Sequence, residues 1–129
     1  MANKHDFASV FADLRAILKR QSAAFAVADD TPTRYCLEAP IGPATLKAWG
    51  GKAKRPTIPI AWTEIGKAYV SFHLMALDAA PAPPSKALKA RLQGKTCFNF
   101  SSPDPVLFEE LEELTTKSIA AFRKAGFCV

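Results

Sequence analysis

Cys97, Asn99 and His73 are the residues of this chain whose types could support chemistry together. Gly94-Lys95-Thr96-Cys97-Phe98-Asn99-Phe100 reads as a short strand. Successive strand side chains point to opposite faces. Thr96, Phe98 and Phe100 then share one side, and Lys95, Cys97 and Asn99 share the other. Tyr69, Ser71 and His73 alternate in the same way along an earlier strand-like segment. If the two segments pair, Cys97, Asn99 and His73 meet on one sheet face. A cysteine beside an imidazolium is a thiolate nucleophile, because the cation lowers the thiol pKa. Asn99 is placed to orient the imidazole. The opposing reading is a small buried thiol and a histidine held by an ordinary hydrogen bond. No family-specific catalytic motif surrounds Cys97.

The surrounding elements decide which reading the sequence favours. Phe7, Val10, Phe11, Leu14, Ile17, Leu18, Gln21 and Phe25 form a helical stripe. Asp6 suits its N-cap, and Asp29-Asp30-Thr31-Pro32 supplies turn chemistry after it. A strand is expected over residues 33–38, with Tyr35 and Leu37 opposite Arg34, Cys36 and Glu38. Residues 41–57 form a Gly-, Pro- and Lys-rich loop with a helical turn near Ala44 to Trp49. Residues 58–65 and 68–75 read as a hairpin turning at Gly66-Lys67. That register sets Glu64 opposite Tyr69, Trp62 opposite Ser71 and Ile60 opposite His73. One face then carries Ile58, Ile60, Trp62, Glu64, Tyr69, Ser71 and His73. The other carries Ala61, Thr63, Ile65, Val70, Phe72 and Leu74.

The run Ala79-Ala80-Pro81-Ala82-Pro83-Pro84 is a stiff connector. Ser85 caps an expected helix over Lys86 to Gln93, with Gly94 at its C′ position. The last helix starts at Asp104-Pro105. Its stripe is Leu107, Phe108, Leu111, Leu114, Ser118, Phe122 and Ala125, and Gly126 closes it. Four strands without regular crossover helices imply α+β architecture. The sheet is expected to be mainly antiparallel, with the N- and C-terminal helices packed on one face.

Tyr69-Val70-Ser71-Phe72-His73, the Pro-containing connector, the Lys/Leu-rich helix, Gly94 to Phe100 and the Glu-rich final helix resemble the YdhG-like group of small bacterial domains. The resemblance covers roughly residues 60–126 and is weaker in the first helix. It implies a bacterial α+β domain spanning residues 1–129. Most of that group has no established function, and one branch is described as a frataxin-like iron chaperone. Iron delivery asks for clustered hard carboxylates. The dense acidic set here is Glu109, Glu110, Glu112 and Glu113, which reads as a solvated helix face.

At 129 residues the chain is expected to form one domain. Three widely spaced cysteines, Cys36, Cys97 and Cys128, make neither a disulfide framework nor a zinc ribbon. Reduced thiols, no leader-like apolar run and no apolar stretch of spanning length indicate a cytoplasmic protein without a membrane partner. The net charge is +5, but the basic residues are dispersed and the last quarter is acidic. Lys47, Lys52, Lys54 and Arg55, with Lys86, Lys89, Arg91 and Lys95 further on, form the nearest approach to a nucleic-acid patch. A solvated surface explains them better. Sequence motifs for nucleotide binding, metalloprotease and serine-hydrolase chemistry are absent. With only His5 and His73 in the chain, no metal site or cofactor is expected.

The sequence therefore points to a non-enzymatic domain using one sheet face. Trp62, Tyr69, Ser71, His73, Lys95, Cys97 and Asn99 are the candidate ligand-binding residues. Ile58, Ile60, Trp62 and Tyr69 would make that face too apolar to stay wet. A small molecule, a second copy of the chain or the 41–57 loop is expected to cover it. The competing reading is a cysteine-dependent enzyme or redox sensor using Cys97 and His73.

Overall fold

A computed structural model describes residues 4–129, with side chains from Asp6 onward. Ten elements follow one another: α1 (Lys4–Gln21), β1 (Ala26–Thr31), β2 (Arg34–Pro40), α2 (Pro43–Ala48), β3 (Thr57–Ile65), β4 (Val70–Leu74), α3 (Lys86–Lys89), β5 (Leu92–Gln93), β6 (Cys97–Phe100) and α4 (Pro105–Lys124). The strands form an antiparallel sheet in the order β1-β2-β3-β4-β6-β5. This is the expected α+β class, with two more strands than the sequence indicated.

The stripe of α1 lays Val10, Leu14, Ile17 and Leu18 onto the sheet, all essentially removed from water. The sheet answers with Leu37, Ala61, Val70, Phe72, Phe98 and Phe100. Helix α4 adds Leu107, Phe108, Leu111 and Ile119 to the same cluster. Phe100 meets Phe108 edge to face, with ring centroids 4.9 Å apart. Asp104 caps α4 by accepting from the Leu107 N–H at 3.2 Å, and Pro105 occupies the first turn. Arg20 of α1 and Glu112 of α4 form a two-point ion pair that ties the helices at their exposed edge.

Several local expectations need correction. Helix α1 already begins at Lys4, so Asp6 lies in its first turn instead of capping it. It stops at Gln21, and residues 26–31 become the edge strand β1, whose side chains are mostly exposed. Asp29 and Asp30 therefore pair with Cys36 and Tyr35 inside a ladder, and the turn falls later, between Thr31 and Arg34. An exposed edge strand buries little on either face, so it lacks the alternation that reveals a strand.

The β3–β4 hairpin turns through Gly66 to Tyr69, where the Gly66 N–H donates to the Tyr69 carbonyl at 2.9 Å. Trp62 consequently pairs with His73, Glu64 with Ser71 and Ile65 with Val70. A shift of two residues preserves the faces while changing every partner. Ile58 and Ile60 do change sides. The β2–β3 register slips between Leu37 and Glu38, where Leu37 pairs with Ala61 and Glu38 with Pro59. The extra β3 residue, Ile60, turns into the core with Ile58, and both are buried there. Pro59 cannot donate to a ladder, which is why strand prolines accompany such bulges.

Helix α3 ends at Lys89, and Leu92–Gln93 form β5 against Phe98 and Cys97. Gly94, at φ 75°, is the left-handed residue of the β5–β6 turn, not a helix C′. Lys95 lies in that exposed turn, outside the strand. The helical turn near Ala44 is α2. It is held to the C-terminal segment by the Ala44 N–H to Gly126 carbonyl bond at 2.8 Å and the Thr45 hydroxyl to Phe127 carbonyl bond at 2.6 Å.

Candidate functional site on the open sheet face

The face opposite α1 collects polar side chains from all six strands. Asp29, Arg34, Cys36, Glu64, Trp62, Ser71, His73, Cys97, Asn99 and Gln93 follow one another across the ladder. Trp62, Glu64, Ser71, His73, Cys97 and Asn99 are half-buried. Tyr69 stands at the rim, 39% exposed. With Ile58 and Ile60 in the core, this face is polar and aromatic, so its expected need for an apolar cover is withdrawn. The 41–57 loop docks through α2 on the C-terminal segment, and residues 50–56 are exposed.

Cys97 is opposite His73, and Asn99 is opposite Ser71. The thiol Sγ is 3.7 Å from His73 Nε2 and donates to Asn99 Oδ1 at 3.3 Å. The Asn99 amide nitrogen donates in turn to Gln93 Oε1. A thiol has one proton. While it points at Asn99, the contact with His73 is made by an Nε2–H donor. The result is a directed chain of polar groups over β4, β6 and β5.

The chain stabilises His73 from behind as well. The Trp62 indole stacks on the imidazole with centroids 4.5 Å apart and planes at 14°. Arg34 covers Trp62, its guanidinium 5.7 Å from the ring centroid. Arg34 is fixed by Asp29 at 2.9 Å and reaches Glu64 at 3.4 Å. Both opposite-charge partners sit across strand pairs, which stabilises the ladder.

These surroundings favour neutral groups. Burial lowers the His73 pKa, Glu64 acts against that shift, and Arg34 reinforces it. Burial raises the Cys97 thiol pKa. At pH 7 the contact therefore joins a neutral imidazole and a neutral thiol. That is a hydrogen-bonded resting pair, unlike the thiolate–imidazolium pair of a cysteine nucleophile. Cys36 is on the same face, opposite Trp62 in the β2–β3 ladder. Burial raises its pKa too, against the pull of Arg34.

Beyond Asn99 the face opens into a hollow of about 450 Å³ between the β3–β4 turn and β5. Tyr69, Arg91, Gln93, Asn99 and Ser101 line it together with Leu92. Arg91 has no carboxylate partner among the described residues. Arg91, Gln93, Arg34 and Glu64 were not among the ligand-binding residues expected from the sequence. Arg34 and Glu64 could have been found as an opposite-charge cross-strand pair. A two-residue strand gives Gln93 no periodic signal.

The acidic set on α4 is largely engaged. Glu110 accepts from Ser85, Glu112 pairs with Arg20, and Glu113 pairs with Lys117. Among the described residues no group of three or more His, Cys, Asp or Glu is arranged to hold a metal ion. No helix among them is long and apolar enough to cross a membrane. Fold and site together define an α+β domain whose one-sided sheet presents a polar, aromatic-edged face. Comparison with protein-family models, curated proteins and solved structures finds no match for this chain.

Proposed function

We propose that the protein is a non-enzymatic binding domain that takes a small amphipathic anion at the β5 end of its open sheet face. The observation that carries this reading is the hollow beside Asn99, in which an unpaired Arg91 faces the same space as Tyr69, Gln93 and Ser101. A guanidinium without a carboxylate partner suits an anionic oxygen. The partly exposed Tyr69 ring offers an apolar wall with a polar tip. Asn99 and Gln93 supply fixed amides, and the Cys97–His73 chain holds Asn99 in place. Ligand sites combine an apolar wall with a few convergent polar groups in this way. The resemblance of residues 60–126 to YdhG-like domains is kept as part of the proposal, supported by the order of elements in that segment. A binding role for that group is our reading.

Anilinonaphthalene sulfonate, an aromatic sulfonate of suitable size, tests the reading by fluorescence titration of the native protein. One site per chain is expected, weakened about tenfold or more in Arg91→Ala and Tyr69→Ala, as for loss of a charged hydrogen bond or an aromatic wall. Equal binding by wild type and both variants contradicts it.

A further inference from the structure

We propose that the 41–57 loop and the end of α4 form one basic surface, interleaved with aromatic rings, that binds single-stranded nucleic acid. The distribution of charge is the first ground. Residues 39–57 carry Lys47, Lys52, Lys54 and Arg55, and residues 118–129 carry Arg123 and Lys124. Neither segment contains an Asp or Glu. The other eleven basic residues share the rest of the chain with all twelve acidic ones. The excess positive charge therefore resides in these two segments.

The fold joins them. The Gly42 N–H donates to the Phe127 carbonyl at 3.0 Å, and the Ala44 N–H donates to the Gly126 carbonyl at 2.8 Å. The far end of the loop returns to the same place. The Ile41 N–H donates to the Pro56 carbonyl at 3.1 Å, and Ile41 itself bridges Cys128. Arg55 thus adjoins a residue held beside the C-terminal segment, and Lys47 lies one turn along α2 from Ala44. Burial raises the Cys128 thiol pKa, and Arg123 is near enough to act against that rise. All six cations are exposed, and none pairs with a carboxylate among the described residues. Lys86 and Lys89, which the sequence sets beside the loop, lie instead on α3, whose Ser85 cap is bound to Glu110 in the first half of α4.

Aromatic rings lie among these charges. Lys54 sits over Trp49 at 5.9 Å, and Arg123 sits over Phe25 at 4.8 Å. Phe127 stacks on Phe122 with centroids 5.0 Å apart, and it is 36% exposed. Proteins that hold single strands combine cations along the phosphates with rings on which bases stack. The rings decide between polyanions. Duplex bases are already stacked on one another and leave no face for Phe127. Unpaired cations suit the phosphates, whose contacts release counterions. The surface shares no residue with the hollow at Arg91, so this inference is independent of the anion reading.

Fluorescence anisotropy of a labelled fifteen-nucleotide oligothymidylate, titrated with the full chain, is the test. With four to six phosphates engaged, affinity should fall roughly 50- to 300-fold between 50 mM and 200 mM salt. A same-length duplex should bind more weakly. Lys52→Ala/Lys54→Ala/Arg55→Ala and Arg123→Ala/Lys124→Ala should each weaken binding about tenfold or more and flatten the salt dependence. Phe127→Ala should weaken it about fivefold or more and leave the salt dependence unchanged. Lys86→Ala/Lys89→Ala should bind like wild type, and circular dichroism checks that each variant is folded. No binding at 50 mM salt overturns the proposal. So does equal or tighter binding of the duplex, unaltered affinity in the loop, α4 or Phe127 variant, or an equal loss in the Lys86/Lys89 variant. Capture by phosphatidylserine vesicles without any binding of the oligonucleotide overturns it in favour of a membrane surface.

Discussion

His73 and Cys97 each carry a pKa shift with a measurable consequence. The His73 shift is downward, so the unfolded chain binds a proton near pH 6.5 while the folded chain does not. Stability is then fully present above about pH 6.5 and falls as the pH drops towards the lowered folded value. Thermal melts from pH 7.5 to 5.5 should show wild type losing more stability than His73→Gln. Parallel loss in the two proteins would contradict the assigned shift. The Cys97 shift is upward, so its thiolate is scarce at neutral pH. Iodoacetamide should label Cys97 in native protein more slowly than a free thiol at pH 7, with peptide mapping reading the site. Faster labelling would restore the nucleophile reading. Ser118 makes a third case. Its hydroxyl is buried on α4 without a hydrogen-bond partner among the described residues. Ser118→Ala removes an unsatisfied polar group and should raise stability by about 1 kcal/mol in chemical denaturation.

Elements were legible where burial gave them a period. Helix α1, helix α4 and the core side of β4 and β6 follow their apolar spacing, and the Asp104-Pro105 start of α4 is where its local chemistry puts it. Strand β1 was hidden because its side chains are mostly exposed, and β5 because it is two residues long. The Cys97–His73–Asn99 grouping was legible for a simple reason. A register error of two residues keeps side chains on their faces. The fate of Ile58 and Ile60 was not, because one bulge residue reverses a strand's parity, and the signal for it was Pro59 alone. Gly42 shows how tightly α2 is seated. An added Cβ would lie 2.1 Å from the Gly126 carbonyl oxygen. Gly42→Ala should cost about 2 kcal/mol by forcing α2 off the C-terminal segment. Urea denaturation checks this, and an unchanged midpoint would refute the seating.

At the scale of the whole molecule, the division of labour is between the two sides of one sheet. Helices α1 and α4 close one side with a dry core. The other keeps a row of fixed polar groups from Asp29 to Gln93 and ends in the hollow at Tyr69 and Arg91. A second groove, of about 410 Å³, lies between Pro81–Pro84 and α4, lined by Leu114, Glu110, Glu113 and Lys117. Its one cation, Lys117, is paired with Glu113, and Glu110 adds a further negative charge, whereas the sheet-face hollow holds Arg91. The most direct measurement is a backbone and side-chain amide shift map of the native protein titrated with anilinonaphthalene sulfonate. Saturable shifts are expected to centre on Tyr69, Arg91, Gln93 and Asn99, with Pro-connector neighbours such as Leu114 and Lys117 unmoved. Shifts centred on the connector groove, or none on the sheet face, would contradict the proposed anion site.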